Sequence, residues 1–227
     1  MKYPSHELIY FNIEGAAEPV RLAFSLAEVP YKDTRVNFPE WGALKPTTPY
    51  GQLPLLKVDG GDPKTQSSAM LRYIGTLNPD AELYPLDRMY AIEEALGLVD
   101  DLKRSWSPSL YMGMRPENFG YAEGFAKTDE GKKTIQSMRE KFIEIELPRF
   151  LGYFAAMVEK NGGKWLCSSD KPTIADCYAV PALRYYTRGT ADYVDAKCLD
   201  ISPVIVDYIK RFCALDQIKG RYSDGVH

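Results

Sequence analysis

The stretch from Gly51 to Gly60, Gly-Gln-Leu-Pro-Leu-Leu-Lys-Val-Asp-Gly, constrains the fold more than any other part of the chain. Because proline has no N–H and a fixed φ, Pro54 does not fit a central strand but fits the entry to one. Leu55 to Val58 then form a strand that ends at the turn signal Asp59-Gly60. A proline at such a bend is a candidate cis peptide. A cis bond would turn the backbone of Leu53 outward, where it can pair with an extended peptide ligand.

A polar cluster, Thr65 to Ala69, follows the strand and opens a helical pattern. The free N–H groups and the positive dipole end of a helix N-terminus suit a carboxylate. A bend that can present its backbone to a peptide is thus followed shortly by an anion-binding helix start. The same residues also fit a strand, a turn and a capped helix without a ligand, and they do not by themselves decide between the two interpretations.

Length and composition limit the class of protein. The 227 residues allow one large domain or two modest ones. The formal net charge of -3 shows no excess of positive charge that would suggest binding to nucleic acid or an anionic membrane. No apolar run approaches the ~18 residues of a membrane span, and the first residues lack the apolar region of a signal peptide. We therefore expect a cytoplasmic protein whose partners include neither nucleic acid nor a membrane.

Cysteine and histidine usage narrows the chemistry further. The four cysteines lie in the last third of the chain without a C-x-x-C pair, so we expect reduced, buried thiols at Cys167, Cys177, Cys198 and Cys213. The two histidines, His6 and His227, lie near the termini. This placement argues against a histidine metal site and a histidine-based triad, and we expect no metal.

The N-terminal third alternates between strand and helix patterns. Runs with strand propensity occur at Leu8–Phe11, Tyr31–Val36, Leu55–Val58 and, as a short fourth strand, Lys64-Thr65. Helical patterns occupy Glu18–Glu28, Glu40–Lys45 and Ser67–Leu77. The order β-α-β-α-β-β-α predicts a compact α/β sandwich with a mixed sheet.

A polar segment with two prolines, Asn78 to Asp87, indicates a domain connection. We place a first domain at residues 1–79, a linker at 80–87 and an all-helical domain at 88–227. Pro108, Pro148 and Pro181 interrupt the helical patterns of the second domain, and each is expected to kink or end its helix. Thr173 and Asp176 form a capping pattern at a helix start, and residues 223–227 suggest a frayed tail.

These motifs, in this order, resemble those of the cytosolic glutathione transferases. The resemblance is carried by Tyr10-Phe11-Asn12, Gly15, Glu18-Pro19-Val20-Arg21-Leu22, Gln52-Leu53-Pro54 and Gln66-Ser67, and it is greatest with the sigma class and other tyrosine-using classes. It implies a thioredoxin-like domain with a mixed four-stranded sheet and a cis Pro54, followed by an all-α domain. It also implies a homodimer that uses glutathione as co-substrate, without a cofactor.

Tyr10 is the candidate catalytic residue. A thiol has a pKa of about 8.5, and lowering it by about two units takes about 2.7 kcal/mol, while one hydrogen bond to a charged acceptor supplies about 1.5–3 kcal/mol. A single tyrosine O–H that donates to the glutathione sulfur is therefore sufficient. No cysteine lies near this strand, which argues against a protein thiol nucleophile. The alternative is a buried strand aromatic with a satisfied hydroxyl.

The resemblance assigns the remaining glutathione contacts. Trp41 and Lys45 match residues at the glycine end, Lys45 through its charge on the carboxylate. The backbone of Leu53 at the Pro54 bend, flanked by Gln52, would pair with the cysteinyl moiety, and the γ-glutamyl end would lie at Gln66 and Ser67. Packing of Trp41 and solvation of Lys45 are the alternatives without a ligand. Asp101 matches a position that reaches the γ-glutamyl amine bound by the other subunit of a dimer.

A stretch rich in aromatic residues and methionine, Ser105 to Met114, suggests one wall of an apolar pocket for the second substrate. We assign Trp106, Tyr111 and Met112 to this wall and Phe11 and Ile13 to the opposite one. Core packing explains the same composition without a ligand.

The loop after the first strand departs from the pattern of many relatives, which carry an arginine after the glycine. Here Gly15 is followed by Ala16-Ala17 and preceded by Glu14, so the local charge is expected to be more negative than usual. This change weakens thiolate stabilisation. We expect Arg21 to pair with an internal carboxylate rather than to substitute for the missing arginine.

The sequence therefore predicts a transferase that conjugates the glutathione thiolate to small hydrophobic electrophiles. Two other functions stay open. One is a glutathione-dependent isomerase or peroxidase, including prostaglandin-type isomerisation. The other is a non-catalytic structural relative such as a lens protein, which the Glu14 and Ala16 departures favour and the retained site residues oppose.

Overall fold

The computed structural model describes residues 2–222, and the predicted frayed tail at 223–227 lies outside them. The strands are β1 (His6–Phe11), β2 (Lys32–Val36) and β3 (Leu55–Val58). The helices are α1 (Glu18–Leu26), α2 (Phe38–Leu44), α3 (Ser67–Leu77), α4 (Met89–Met114), α5 (Asp129–Lys141), α6 (Leu147–Lys160), α7 (Ile174–Arg184) and α8 (Pro203–Cys213). The predicted thioredoxin-like domain and the predicted helical domain are therefore both present.

The sheet has the order β2-β1-β3, with β1 parallel to β2 and antiparallel to β3. The predicted mixed sheet is correct, but the fourth strand at Lys64-Thr65 is reduced to a single bridge between Leu56 and Lys64. Pro63 precedes this bridge and has no N–H to extend the ladder, and Gln66 leaves it with φ +70°. The described sheet therefore has three strands.

The bend before β3 has the predicted geometry, because the Leu53–Pro54 peptide bond is cis. The ladder between β1 and β3 ends at the pair Ile9 and Leu55. Continuing the same register by one residue brings Pro54 opposite Tyr10. The bend and the candidate catalytic residue therefore lie side by side on neighbouring strands.

Two of the three prolines that were expected to interrupt helices lie inside them. Pro108 lies in α4 and Pro181 in α7, and both helices continue past the proline, so neither helix ends there. Each proline costs one backbone hydrogen bond, but the residues around it are buried on the core side: Trp106 and Met112 in α4, and Val180 in α7. Packing of these side chains outweighs the local cost.

Pro148 lies at a true change of helix type. The helical pattern around Pro148 is divided by a five-residue π-helical turn, Phe142–Glu146, that joins α5 to α6. The turn ends immediately before α6, so Pro148 occupies the first turn of that helix, where a missing N–H costs little.

Helix α7 begins with the predicted capping box. The Thr173 hydroxyl accepts a hydrogen bond from the Ala175 N–H, and the Asp176 carboxylate accepts one from the Thr173 N–H at 2.6 Å. The other oxygen of Asp176 accepts from the Leu166 N–H and the Tyr208 hydroxyl, each at 3.0 Å. Although burial raises the pKa of Asp176, these three donors and the Thr173 hydroxyl, which donates to Asp176 at 3.1 Å, satisfy it, and the role of this residue is structural.

A continuous core joins the sheet side of the chain to the helical domain. Helix α1 packs on α3 and α7, and α4 packs on α7. Gly75 allows α3 to pack closely against Tyr84 and the start of α7, since a Cβ at position 75 would lie 2.8 Å from Ile174 and 2.9 Å from Tyr84. The four cysteines are buried in this helical part, and none forms a disulfide among the described residues.

The carboxylate of Glu18, the first residue of α1, is fully buried and binds four donors. It accepts hydrogen bonds from Arg21 at 3.3 Å, from Tyr222 at 2.7 Å and from two nitrogens of Arg221. Arg21 also bonds Asp33, so its predicted pairing with an internal carboxylate is confirmed. Burial alone would raise the pKa of Glu18, but Arg221, Tyr222 and Arg21 outweigh burial and hold it below its usual value.

We predict that Glu18→Gln lowers the free energy of unfolding by about 3–5 kcal/mol at neutral pH, because it leaves buried cations without their partner. A carboxyl with a lowered folded-state pKa stabilises the protein above its unfolded pKa of about 4.3, and this contribution disappears as pH falls through the folded value. The difference in the free energy of unfolding between wild type and Glu18→Gln should therefore become smaller at acidic pH. Urea unfolding at several pH values measures it.

The matched control for this experiment is Glu7→Gln, which removes an exposed ion pair with Lys32 at 2.8 Å. Such a pair contributes about 0–1 kcal/mol. Equal losses in the free energy of unfolding for the two variants would show that Glu18 contributes no more to stability than an exposed ion pair.

Candidate active site

Tyr10 lies near the end of β1 and is 8% exposed. Its hydroxyl accepts a hydrogen bond from the Ala16 N–H at 3.0 Å, which leaves the O–H proton available for another acceptor. Gly15 has φ +46° and lies against the ring, where a Cβ would come within 2.5 Å of the Tyr10 hydroxyl. Glycine is therefore required at this position for both its backbone conformation and its size.

The loop between β1 and α1 is held by Arg21. Its guanidinium donates to the carbonyls of Ile13 at 2.8 Å and Glu14 at 3.2 Å. The same group lies 5.7 Å from the centre of the Tyr10 ring. Because Arg21 is also paired with Glu18 and Asp33, it positions the loop rather than placing a free positive charge at the hydroxyl.

Glu14 is paired, which corrects the expected excess of negative charge beside Tyr10. Its carboxylate lies 3.0 Å from Arg188 and 3.6 Å from Arg184. Both arginines come from the end of α7 and the segment after it, far away in sequence. The loop sequence thus overstated the negative charge, because the helical domain supplies two cations that face it.

A cavity of about 450 Å³ opens between this loop, α4 and α7. Its wall is largely apolar and aromatic and carries a few polar groups: Tyr10, Glu14, Gly15, Ala16, Pro19, Lys103, Trp106, Ser107, Leu110, Tyr111, Tyr178, Pro181, Ala182, Tyr185, Tyr186 and Arg188. The volume and character of this wall suit a small apolar molecule. The Tyr10 side chain reaches the same space.

Two of the five residues assigned to the apolar pocket, Trp106 and Tyr111, line this cavity. The other three lie elsewhere. Phe11 stacks on Phe38 at 4.7 Å and meets Trp41 edge-on at 5.6 Å, Ile13 is 48% exposed, and Met112 is buried in the packing of α4. A strand residue next to Tyr10 points to the opposite side of the sheet, which accounts for Phe11.

The residues assigned to glutathione lie on the exposed ends of three elements. Trp41 lies in α2, and Lys45 follows that helix directly. Gln52 and Leu53 form the bend before β3, and among the described residues none hydrogen-bonds the Leu53 backbone. The pair at the start of α3, Gln66 and Ser67, is accessible to solvent. Their roles in binding glutathione stay predictions.

Asp101 lies outside the cavity. It is exposed on α4 and pairs with Arg104 at 2.6 Å, beside Arg149 and Tyr153 of α6. It therefore does not face Tyr10 of its own chain. Its contact with glutathione bound by a second chain stays a prediction.

The sequence interpretation overlooked the polar residues of the cavity wall. Lys103 of α4 donates a hydrogen bond to the Tyr178 hydroxyl at 2.9 Å, and that hydroxyl donates to Asp100 at 2.5 Å. The helical spacing of Lys103 with Trp106 and Ser107 on one face of α4 was a usable signal. The position of Tyr178 depends on how α7 packs against α4, which helical spacing does not predict.

Residues 2–222 lack two further features. No group of histidine, cysteine, aspartate and glutamate side chains there is arranged to hold a metal ion. None of the helices in that range is long and apolar enough to cross a membrane.

A thioredoxin-like domain with a cis-proline bend, joined to a helical domain across an apolar cavity, defines a class of glutathione-binding enzymes. The glutathione S-transferase N-terminal domain model matches residues 16–77, and the C-terminal domain model matches residues 119–222. Glutathione S-transferase 4 of Caenorhabditis elegans is 49% identical over 156 residues, which span 65% of this chain and 72% of that protein. The chain therefore belongs to the glutathione S-transferase family.

Solved structures agree with this assignment. Prostaglandin synthase D of Nilaparvata lugens superposes with a TM-score of 0.75 at 26% identity, covering 96% of both chains. A monomeric glutathione S-transferase of the hookworm Necator americanus superposes with a TM-score of 0.71 at 25% identity, covering 95% of both chains.

We predict that Gly15→Ala lowers glutathione-conjugating activity by about a hundredfold, the scale expected for a misplacement of ~1 Å in an active site. The added Cβ would displace the Tyr10 hydroxyl, which lies 2.5 Å from it. Steady-state kinetics with an aryl halide measures the effect.

Gly60→Ala is the matched control, because Gly60 has φ +69° and no atom within 4 Å of a built Cβ. It introduces similar backbone strain without touching Tyr10, so its activity per folded molecule should match wild type. Equal activity of the two variants would contradict the positioning role of Gly15.

Proposed function

We propose that the chain conjugates the thiolate of glutathione to small apolar electrophiles. The observation that carries the proposal is the Tyr10 hydroxyl, which lines the apolar cavity and lies opposite the cis-Pro54 bend in the strand register. A thiol bound along the bend meets a hydrogen-bond donor on one side and the electrophile on the other. Membership of the family supports this arrangement.

Tyr10 acts through the acidity of the thiol. Its O–H donates to the sulfur, favours the thiolate and lowers the thiol pKa, and one charge-assisted hydrogen bond of about 1.5–3 kcal/mol accounts for about two pKa units. The Ala16 N–H that donates to the phenol oxygen strengthens Tyr10 as a donor, because successive hydrogen bonds polarise one another. The thiol proton leaves to solvent, so neither a general base nor a cofactor is required.

The tripeptide is held along the thioredoxin-like domain. Lys45 and Trp41 bind the glycine end, the Leu53 backbone beside Gln52 pairs with the cysteinyl moiety, and Gln66 and Ser67 hold the γ-glutamyl end. The open backbone at Leu53 and the exposed N-terminus of α3 support this placement. The electrophile occupies the cavity, where Trp106 and Tyr111 contribute aromatic surface.

We further propose a cytoplasmic, sigma-like homodimer with domains at residues 1–79 and 88–227 and a linker at 80–87. Asp101 on the exposed face of α4 reaches the γ-glutamyl amine bound by the partner. Each complete site then requires two chains.

A glutathione-dependent isomerase is the second candidate, favoured by the superposition on a prostaglandin synthase D. The same thiolate would attack an endoperoxide, and glutathione would be regenerated rather than consumed. Product analysis with an endoperoxide and with an aryl halide separates the two: only the transferase forms a stable glutathione conjugate.

We predict that Tyr10→Phe raises the pKa of bound glutathione by about two units and lowers kcat/KM at neutral pH by about a hundredfold. Ultraviolet absorbance of the thiolate across a pH titration measures the first, and conjugation of an aryl halide measures the second. Tyr193→Phe, at a 45% exposed tyrosine outside the cavity, should leave both unchanged.

Two outcomes would contradict this mechanism. If wild type fails to bind glutathione at millimolar concentration, the transferase proposal is lost and a non-catalytic role is favoured. If Tyr10→Phe conjugates as fast as wild type, Tyr10 is not the catalytic residue.

For the dimer, we predict that sedimentation gives twice the chain mass and that Asp101→Asn lowers glutathione affinity by about tenfold, corresponding to about 1.4 kcal/mol. The dimer itself should persist, because Asp101 acts on the ligand. Asp129→Asn, at an exposed position on α5, is the control. A monomer that binds glutathione with full affinity would exclude the shared site.

A further inference from the structure

The charged residues of the cavity wall are not all paired. Glu14, Lys103 and Arg188 line the cavity, so two cations face one carboxylate. Glu14 and Arg188 form an ion pair at 3.0 Å. No described carboxylate forms an ion pair with Lys103, whose hydrogen bond goes to the neutral hydroxyl of Tyr178. One positive charge of the cavity therefore lacks a direct counter-charge among the residues that the structure describes.

Lys103 is held in place by a short relay. Its ammonium donates to the Tyr178 hydroxyl at 2.9 Å, and that hydroxyl donates to Asp100 at 2.5 Å. The Tyr178 ring centre also lies 4.0 Å from the same nitrogen. An ammonium has three donors, so at least one remains to meet a ligand in the cavity.

The surroundings of Lys103 make an anionic ligand favourable. The cavity wall includes Trp106, Leu110, Pro181 and Ala182, whose side chains offer no acceptor, and Ser107, one turn after Lys103 on α4, whose hydroxyl is neutral. The protein atoms around Lys103 lower the pKa of its ammonium by desolvation, although Asp100 opposes this effect. Lys103 is nevertheless exposed to solvent, so an anionic ligand can reach its ammonium and accept a charge-assisted hydrogen bond from it.

We propose that Lys103 determines substrate specificity by binding the carboxylate of an amphipathic electrophile whose apolar body fills the cavity. The proposal rests on the transferase function and names the substrate class: apolar organic acids that carry an electrophilic carbon. The carboxylate lies at Lys103, the apolar part packs against Trp106 and Tyr111, and the electrophilic carbon is directed toward the sulfur at Tyr10. Asp100 acts through Tyr178 and is a positioning residue.

Binding of unreactive probes tests this assignment without turnover. Calorimetric titration of wild type and Lys103→Met with para-nitrobenzoate and with its methyl ester separates charge from apolar contact. We expect Lys103→Met to weaken nitrobenzoate binding by about tenfold, equivalent to about 1.4 kcal/mol, and ester binding by less than about twofold. Lys103→Arg, which retains the charge, should recover most of the nitrobenzoate affinity.

Lys210→Met is the matched control, because Lys210 is exposed on α8 and does not line the cavity. It should bind both probes as wild type does. Equal losses for the two probes in Lys103→Met, no loss for nitrobenzoate, or no binding of nitrobenzoate to wild type would each overturn the proposal.

A kinetic experiment separates this proposal from the transferase function itself. A chloronitrobenzoate and its methyl ester are conjugated in parallel, and Lys103→Met should raise KM for the acid by about tenfold with little change in kcat. If wild type conjugates neither compound while the binding pattern holds, the transferase proposal fails and the specificity site stands. If both are conjugated with unchanged KM in Lys103→Met, the specificity proposal fails alone.

Discussion

The buried carboxylate of Glu18 is the interaction on which the rest of the structure depends. It opens α1, orients Arg21, and receives Arg221 and Tyr222 from the end of the described chain. Arg21 in turn holds the carbonyls of the loop after β1, and that loop presents the Ala16 N–H to Tyr10. One desolvated charge, satisfied from both domains, therefore links global stability to the position of the candidate catalytic hydroxyl.

The candidate site depends on charge compensation between distant segments. The loop beside Tyr10 carries Glu14 where many relatives have a cation nearby, but Arg184 and Arg188 pair with it from the helical domain. The same domain provides α4 and α7 as the apolar walls of the cavity. The candidate catalytic hydroxyl and most of the cavity wall thus come from different domains, and the charge of the site is set only when the two pack together.

Much of the thioredoxin-like half was predictable because its signals are local. A proline at a strand entry, a glycine beside Tyr10 and a polar helix start each restrict the backbone within a few residues. The structure of the helical half was harder to predict from the sequence. The helices continue past Pro108 and Pro181, since burial of neighbouring side chains outweighs one lost hydrogen bond, and the predicted fourth strand is only a bridge at Lys64.

The bend at Pro54, the capping of α7 by Thr173 and most of the order of elements could be predicted from the sequence, because backbone restrictions and residue spacing act over short range. The family was identified from the resemblance of the motifs to those of its known members. Which residues share the cavity wall depends on tertiary packing: Lys103 and Tyr178 line it, while Phe11, Ile13 and Met112 do not. Which side chains contact each other depends on how the helices pack. A periodic pattern predicts which side of a helix is buried, but not which residues that side packs against.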